Sequence, residues 1–174
     1  MKNIALIGMM GSGKTTLAEM LAEKMKLDYC CADEYLEEKY NRSIPDIFEK
    51  DGEDGFRKLE SEAIRDLAKR RNIIIATGGG VILREENIDT LRENGFIIIF
   101  LNRSIESILK DITTENRPLI KEDKNRLLKI YSEREHLYKE YSDIIINNHD
   151  CLDETLDKLY NSVALLSNDK SDKK

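Results

Sequence analysis

Apolar positions along the chain change period repeatedly, and the changes mark out alternating strands and helices. Residues 2–8 form a short apolar run, after which Leu17, Met20, Leu21 and Met25 share one face of a helix expected over 15–25. A second strand is expected over 27–32, followed by a helix over 34–40 with Asp33 available as its N-cap. Helices are also expected over 44–50 and 54–71, with Gly52 at their joint; the second carries Phe56, Leu59, Ala63, Ile64 and Leu67. Residues 72–77 are β-branched and do not alternate, as suits a strand buried on both faces of a parallel sheet, and they run into Gly78, Gly79 and Gly80. A helix over 84–93, ended by Gly95, leads to the apolar run 96–101, the clearest central strand. A short helix over 104–111, a polar stretch over 112–123, a helix over 124–141, a strand over 143–147 and a helix over 152–166 complete the pattern. Strands separated by helices predict an α/β fold: a five-stranded parallel sheet with helices on both faces and ligands near the carboxyl ends of the strands.

Composition narrows the possibilities. A chain of 174 residues, 40% hydrophobic and 36% charged, can bury one core. The expected organisation is a single domain over 1–166 with a polar, charged tail over 167–174. The net charge of -6 has the wrong sign for a general nucleic-acid binder. The longest apolar run is far shorter than the roughly 20 residues that span a bilayer as a helix, so no membrane segment is expected. Residues 4–10 are followed by Gly11, Ser12, Gly13 and Lys14 rather than by a small-residue cleavage site, so secretion is not expected. Cys30, Cys31 and Cys151 match neither a disulfide framework nor a zinc knuckle, which predicts a reducing, cytoplasmic setting.

The strongest chemical signal is Gly8-Met9-Met10-Gly11-Ser12-Gly13-Lys14-Thr15, which satisfies G-x-x-x-x-G-K-[ST] between an apolar strand and an amphipathic helix. Small residues let backbone N–H groups surround a phosphate, and the helix N-terminus adds partial positive charge. Lys14 is expected to reach the β and γ phosphates and Thr15 to coordinate Mg²⁺, so the chain is expected to bind ATP or GTP. No Asn-Lys-x-Asp element of a switch GTPase is found. The apolar positions 73–75 run into Ala76-Thr77-Gly78 rather than the Asp of a larger ATPase. Small-molecule kinases remain.

Several side chains could form an acceptor site, each with an ordinary alternative. Asp33 could accept a proton from a substrate hydroxyl, or simply cap a helix. Arg57, three residues before Glu60, is either an exposed ion pair or an arginine that Glu60 aims at a carboxylate or phosphate. Arg134 shares an apolar helix face with Leu127, Ile130, Leu137, Tyr138 and Tyr141; it needs an anion there, an internal carboxylate or a snorkelling path. Gly78, Gly79 and Gly80 permit close approach of a ligand or form a tight turn. Arg117 precedes Pro118, which suits either a segment closing over phosphates or a solvated loop. His136 and His149 share no metal or triad arrangement, and Tyr131, Tyr138 and Tyr141 read as helix packing.

Together these motifs resemble the shikimate kinase family over about residues 3–148, adding residues 43–48 and 52–57, Arg117-Pro118-Leu119 and the segment 134–138 to the glycine loop and triplet. The resemblance implies a P-loop kinase of three layers with a mobile lid at about 112–124. It implies ATP-dependent phosphorylation of the 3-hydroxyl of shikimate on the route to aromatic amino acids. Nucleotide contacts are then expected from Gly11, Ser12, Gly13, Lys14, Thr15, Thr16, Lys110 and Arg117. Asp33, Arg57, Gly78, Gly79, Gly80 and Arg134 are expected around shikimate, with Asp33 as base and Lys14 and Arg117 offsetting charge during transfer. ATP, Mg²⁺ and shikimate are the expected ligands of a monomer. Lys110 stands where the family often has an arginine, and Cys31 where it usually has a second Asp thought to hold Mg²⁺ through water. Rival expectations are a kinase for another polyol acid such as gluconate, a nucleoside monophosphate kinase, and a nucleotide-binding regulator that has lost the chemistry.

Overall fold

The computed structural model describes residues 2–114, 124–148 and 151–168. Five strands, β1 (Asn3–Ile7), β2 (Asp28–Cys31), β3 (Ile73–Ala76), β4 (Phe96–Asn102) and β5 (Ile144–Asn147), form one sheet in the order β2-β3-β1-β4-β5. Every neighbouring pair is parallel, with Ile4 opposite Ile74 and Ile97 on the two sides of β1. Strands β1 and β3 are buried throughout, which is why their sequences run apolar without alternation.

Successive side chains feed opposite faces of the sheet. Ala5, Ile7, Ile75, Ile98 and Phe100 pack with Ile64, Leu67, Leu91 and Tyr138 from α3 (Ile44–Leu67), α4 (Glu85–Glu93) and α6 (Lys124–Tyr141). Ile4, Leu6, Ile74, Ile99 and Leu101 pack with Leu17 and Leu21 of α1 (Lys14–Met25) and Leu159 and Val163 of α7 (Leu152–Asn168). Full burial of each such side chain stabilises the fold by about 1.5–3 kcal/mol. The remaining helices are α2 (Ala32–Tyr40) and α5 (Ile105–Thr114), and a turn of 3-10 helix over Val81–Leu83 precedes α4.

The layered α/β architecture matches the expectation, while element ends differ. Helix α2 begins before Asp33, and its N-cap is Cys31 in extended conformation; Asp33 therefore lies in the first turn and is not the cap. The helices expected at 44–50 and 54–71 are one element broken at Gly52 (φ 70°, ψ -175°), and it ends at Leu67, where backbone turns at Lys69 and Arg70 take over. Ser43 caps its start, accepting a hydrogen bond from Asp46 N at 3.3 Å, with Pro45 in the first turn. Helix α7 reaches Asn168, past the start of the expected tail. Most of the expected lid and Arg117 lie outside the described residues. Among those described, no helix is long and apolar enough to cross a membrane.

Candidate active site

Parallel registers bring the functional loops to one end of the sheet. Leu6 and Cys31 both lie opposite Ala76, so the glycine loop after β1, the start of α2 and the glycine triplet after β3 emerge side by side. The glycine loop curls from Gly8 into α1, whose N-cap, Gly13, adopts φ 89°, a left-handed conformation that side chains disfavour. Long-range bonds fix its shape: Asn148 Nδ2 donates to Ser12 O at 3.0 Å, Thr155 Oγ1 to Asn148 Oδ1 at 3.1 Å, and Arg103 Nη1 to Gly11 O at 3.0 Å. Lys14 is buried, with Nζ donating to Gly8 O at 2.9 Å and Met9 O at 2.8 Å.

A cavity of about 560 Å³ opens against this loop. Gly11, Gly13, Lys14, Thr15 and Thr16 line its nucleotide-loop side. Asp33, Arg57, Gly78, Gly79, Gly80 and Arg134 line the rest, joined by Glu60 and by the apolar Phe56 and Ile130. Ser12 is fully buried and does not line the cavity, so the structure does not bring it to the expected nucleotide side. Lys110 is exposed on α5 and is not among the lining residues.

Arg57 and Glu60 are a buried pair, Nη1 to Oε2 at 2.7 Å, not the exposed pair that is the alternative. Glu60 Oε1 and Arg57 Nε are buried without a hydrogen-bond partner, and their residues line the cavity. Among the described residues Arg134 has no carboxylate in ion-pair range; its Nη1 lies 3.5 Å from Gly79 O. Protein side chains crowd two of the three glycines: a Cβ on Gly78 would lie 2.7 Å from Asp33 Oδ1, and one on Gly80 would collide with the Arg57 guanidinium. Close approach by the site's own side chains accounts for Gly78 and Gly80.

Burial dominates the electrostatics. It lowers the Lys14 ammonium to about 8 against the pull of Asp33, and pushes the Asp33 carboxyl up against the pull of Lys14. Burial likewise raises the Glu60 carboxyl, opposed by Arg57, and the Cys31 thiol. A neutral thiol offers little to a hard cation, while Thr15 is exposed in the first turn of α1. Among the described residues no cluster of acidic, histidine and cysteine side chains could hold a metal by itself. This donor set fits a Mg²⁺ ion carried mainly by phosphates and water, with Thr15 the residue that would hold it.

Some of the arrangement leaves no mark in the sequence pattern. Asn148 and Arg103 act on the loop across 136 and 92 residues, a separation no local motif reports. Tyr138 packs as expected, but its hydroxyl also donates to Gly79 O; its spacing of four from Arg134 is the one local signal of that role.

A glycine loop leading into a helix at the centre of a parallel sheet, facing a charged acceptor chamber, defines a small P-loop kinase. The family model described as shikimate kinase matches residues 10–164, and the chain belongs to the shikimate kinase family. The shikimate kinase of Clostridium botulinum (strain Alaska E43 / Type E3) is 41% identical over 160 residues, covering 91% of this chain and 96% of its own. That of Clostridium beijerinckii is 44% identical over 149 residues, covering 85% and 87%. The solved structure of shikimate kinase from Acinetobacter baumannii in complex with shikimate superposes with a TM-score of 0.83 at 34% identity, covering 97% of this chain and 94% of that one.

Proposed function

We propose that the chain transfers the γ phosphoryl group of ATP to the 3-hydroxyl of shikimate, giving shikimate 3-phosphate and ADP. The observation that carries this reading is the convergence of Asp33, Arg57 and Arg134 on one cavity with the glycine loop. Two guanidinium groups suit a carboxylate, which each can grip through paired N–H donors. Asp33 accepts the proton of the attacking hydroxyl, and its raised pKa brings its basicity nearer the working pH. The attacking oxygen forms a bond to phosphorus as the bond to the β-phosphate oxygen breaks.

Loop N–H groups and Lys14 hold the phosphates, and Arg117 offsets charge on the transferring group. Thr15 would hold Mg²⁺, which would supply further charge stabilisation during transfer. Gly78, Gly79 and Gly80 frame the acceptor, while Lys110 covers the adenine. The free thiols of Cys30, Cys31 and Cys151 suit a reducing cytoplasm, and the chain acts as a monomer.

The deciding experiment incubates the protein with MgATP and a panel of shikimate, gluconate and nucleoside monophosphates, with coupled ADP detection and product identification. Shikimate-dependent ADP release with shikimate 3-phosphate as product is expected. ATP binding without shikimate binding or product would favour a regulator.

A further inference from the structure

The Gly79 carbonyl faces two donors from the same helix, one turn apart. Tyr138 is fully buried, its ring stacked on Phe100 with centroids 5.1 Å apart and planes at 19°. Its hydroxyl donates to Gly79 O, and Met9 Sδ lies 3.7 Å away. Arg134 Nη1 reaches the same oxygen only at 3.5 Å, the outer limit of hydrogen bonding. The carbonyl is therefore satisfied by the tyrosine, and the guanidinium four residues earlier, itself within hydrogen-bond reach of the Tyr138 hydroxyl, keeps its remaining N–H groups beside the cavity.

We infer that Tyr138 is a positioning residue for acceptor binding: by occupying the Gly79 carbonyl it keeps the Arg134 guanidinium free for the carboxylate of the substrate. This rests on the proposed acceptor site and deepens it. The physical reason is the cost of an unpaired carbonyl: Gly79 is half-buried, and its oxygen, once it loses the phenol donor, takes the next donor within reach. Among the described residues, Arg134 is the other side chain that donates to Gly79 O. Without the phenol oxygen, Arg134 closes on the carbonyl and withdraws from the acceptor. Burial pushes the Tyr138 hydroxyl up to about 12, so it remains a donor throughout the working pH range.

The test is a double-mutant cycle on the full chain: wild type, Tyr138→Phe, Arg134→Ala and the double variant. Phenylalanine retains the ring against Phe100, and circular dichroism with thermal melting checks the fold. Tyr138→Phe is expected to raise KM for shikimate roughly tenfold, with kcat within about threefold and KM for ATP within about twofold of wild type. In the Arg134→Ala background the same change should alter kcat/KM for shikimate by less than about twofold, because its effect runs through the missing arginine. Full additivity, an equal rise in KM for ATP, or an unchanged KM for shikimate in Tyr138→Phe overturns the inference alone. A folded wild type that does not phosphorylate shikimate, or an Arg134→Ala variant with unchanged KM for shikimate, overturns the acceptor-site reading and the inference with it.

Discussion

Lys14 carries a charge that its burial makes costly to the fold. Its ammonium is buried and its pKa lowered from 10.5 to about 8, so the folded state holds that proton less tightly than the unfolded chain. The resulting penalty is complete below pH 8, is relieved as pH rises, and is gone above 10.5. Lys14→Met should therefore abolish turnover while stabilising the protein at pH 7 by less than the roughly 3 kcal/mol of that penalty, because Gly8 O and Met9 O lose their donor. Its advantage over wild type in urea unfolding should shrink steadily between pH 8 and 10; a constant difference would contradict the assignment. Asp33 shifts in the opposite sense, up from 3.8. Its active form is the carboxylate, so kcat/KM should fall as pH drops through a value above 3.8, and Asp33→Asn should lose at least about a hundredfold in kcat with the fold intact. Cys31 lines the same cavity, where a carboxylate would suit a hard cation better. Cys31→Asp should lower the Mg²⁺ concentration for half-maximal rate, and an unchanged titration would remove Cys31 from metal binding. Individual residues are legible where chemistry is local: Lys14 and Thr15 sit inside an eight-residue motif. Whether Arg57 and Glu60 form a buried or an exposed pair is not, because burial depends on what packs over α3.

Elements are legible where periodicity runs long and less so at their ends. The start of α2 is ambiguous in sequence because Ala32 fits the first turn of a helix as well as the end of a strand; in the fold it joins the helix, and the backbone of Cys31 becomes the cap. The break in α3 is legible because Gly52 stands between two helical patterns, yet its conformation, φ 70° and ψ -175°, lies in a region essentially confined to glycine. Across the break Phe48 stacks on Phe56, 4.6 Å between centroids, and the Arg57 guanidinium lies over the Phe56 ring. Gly52→Ala should destabilise the protein by about 1–3 kcal/mol in chemical denaturation, although a Cβ there would meet nothing within 4 Å. An unchanged midpoint would show that the backbone is not held in that conformation.

At the scale of the molecule, strand number and direction follow from the alternation of apolar runs and amphipathic helices. Strand order does not, since placing β1 between β3 and β4 depends on which helices cover which face. The nucleotide loop and acceptor residues share one cavity fixed by that order. Ligands that bind the folded chain alone must therefore stabilise it. MgATP or shikimate at 100 times its dissociation constant should each add about 2.7 kcal/mol, read as a rise in melting temperature. A melting temperature indifferent to shikimate would count against the acceptor half of the cavity.

The central place of β1 also bears on biogenesis. Of the five strands, β1 leaves the ribosome before the other four and is the innermost of the finished sheet, and its partners begin at Ile73 and Phe96. Its apolar stretch must wait through much of translation before both edges are paired, which makes folding slow and late. A nascent chain arrested short of β4 carries that strand with one side open, a ready template for misassociation that only continued synthesis can close.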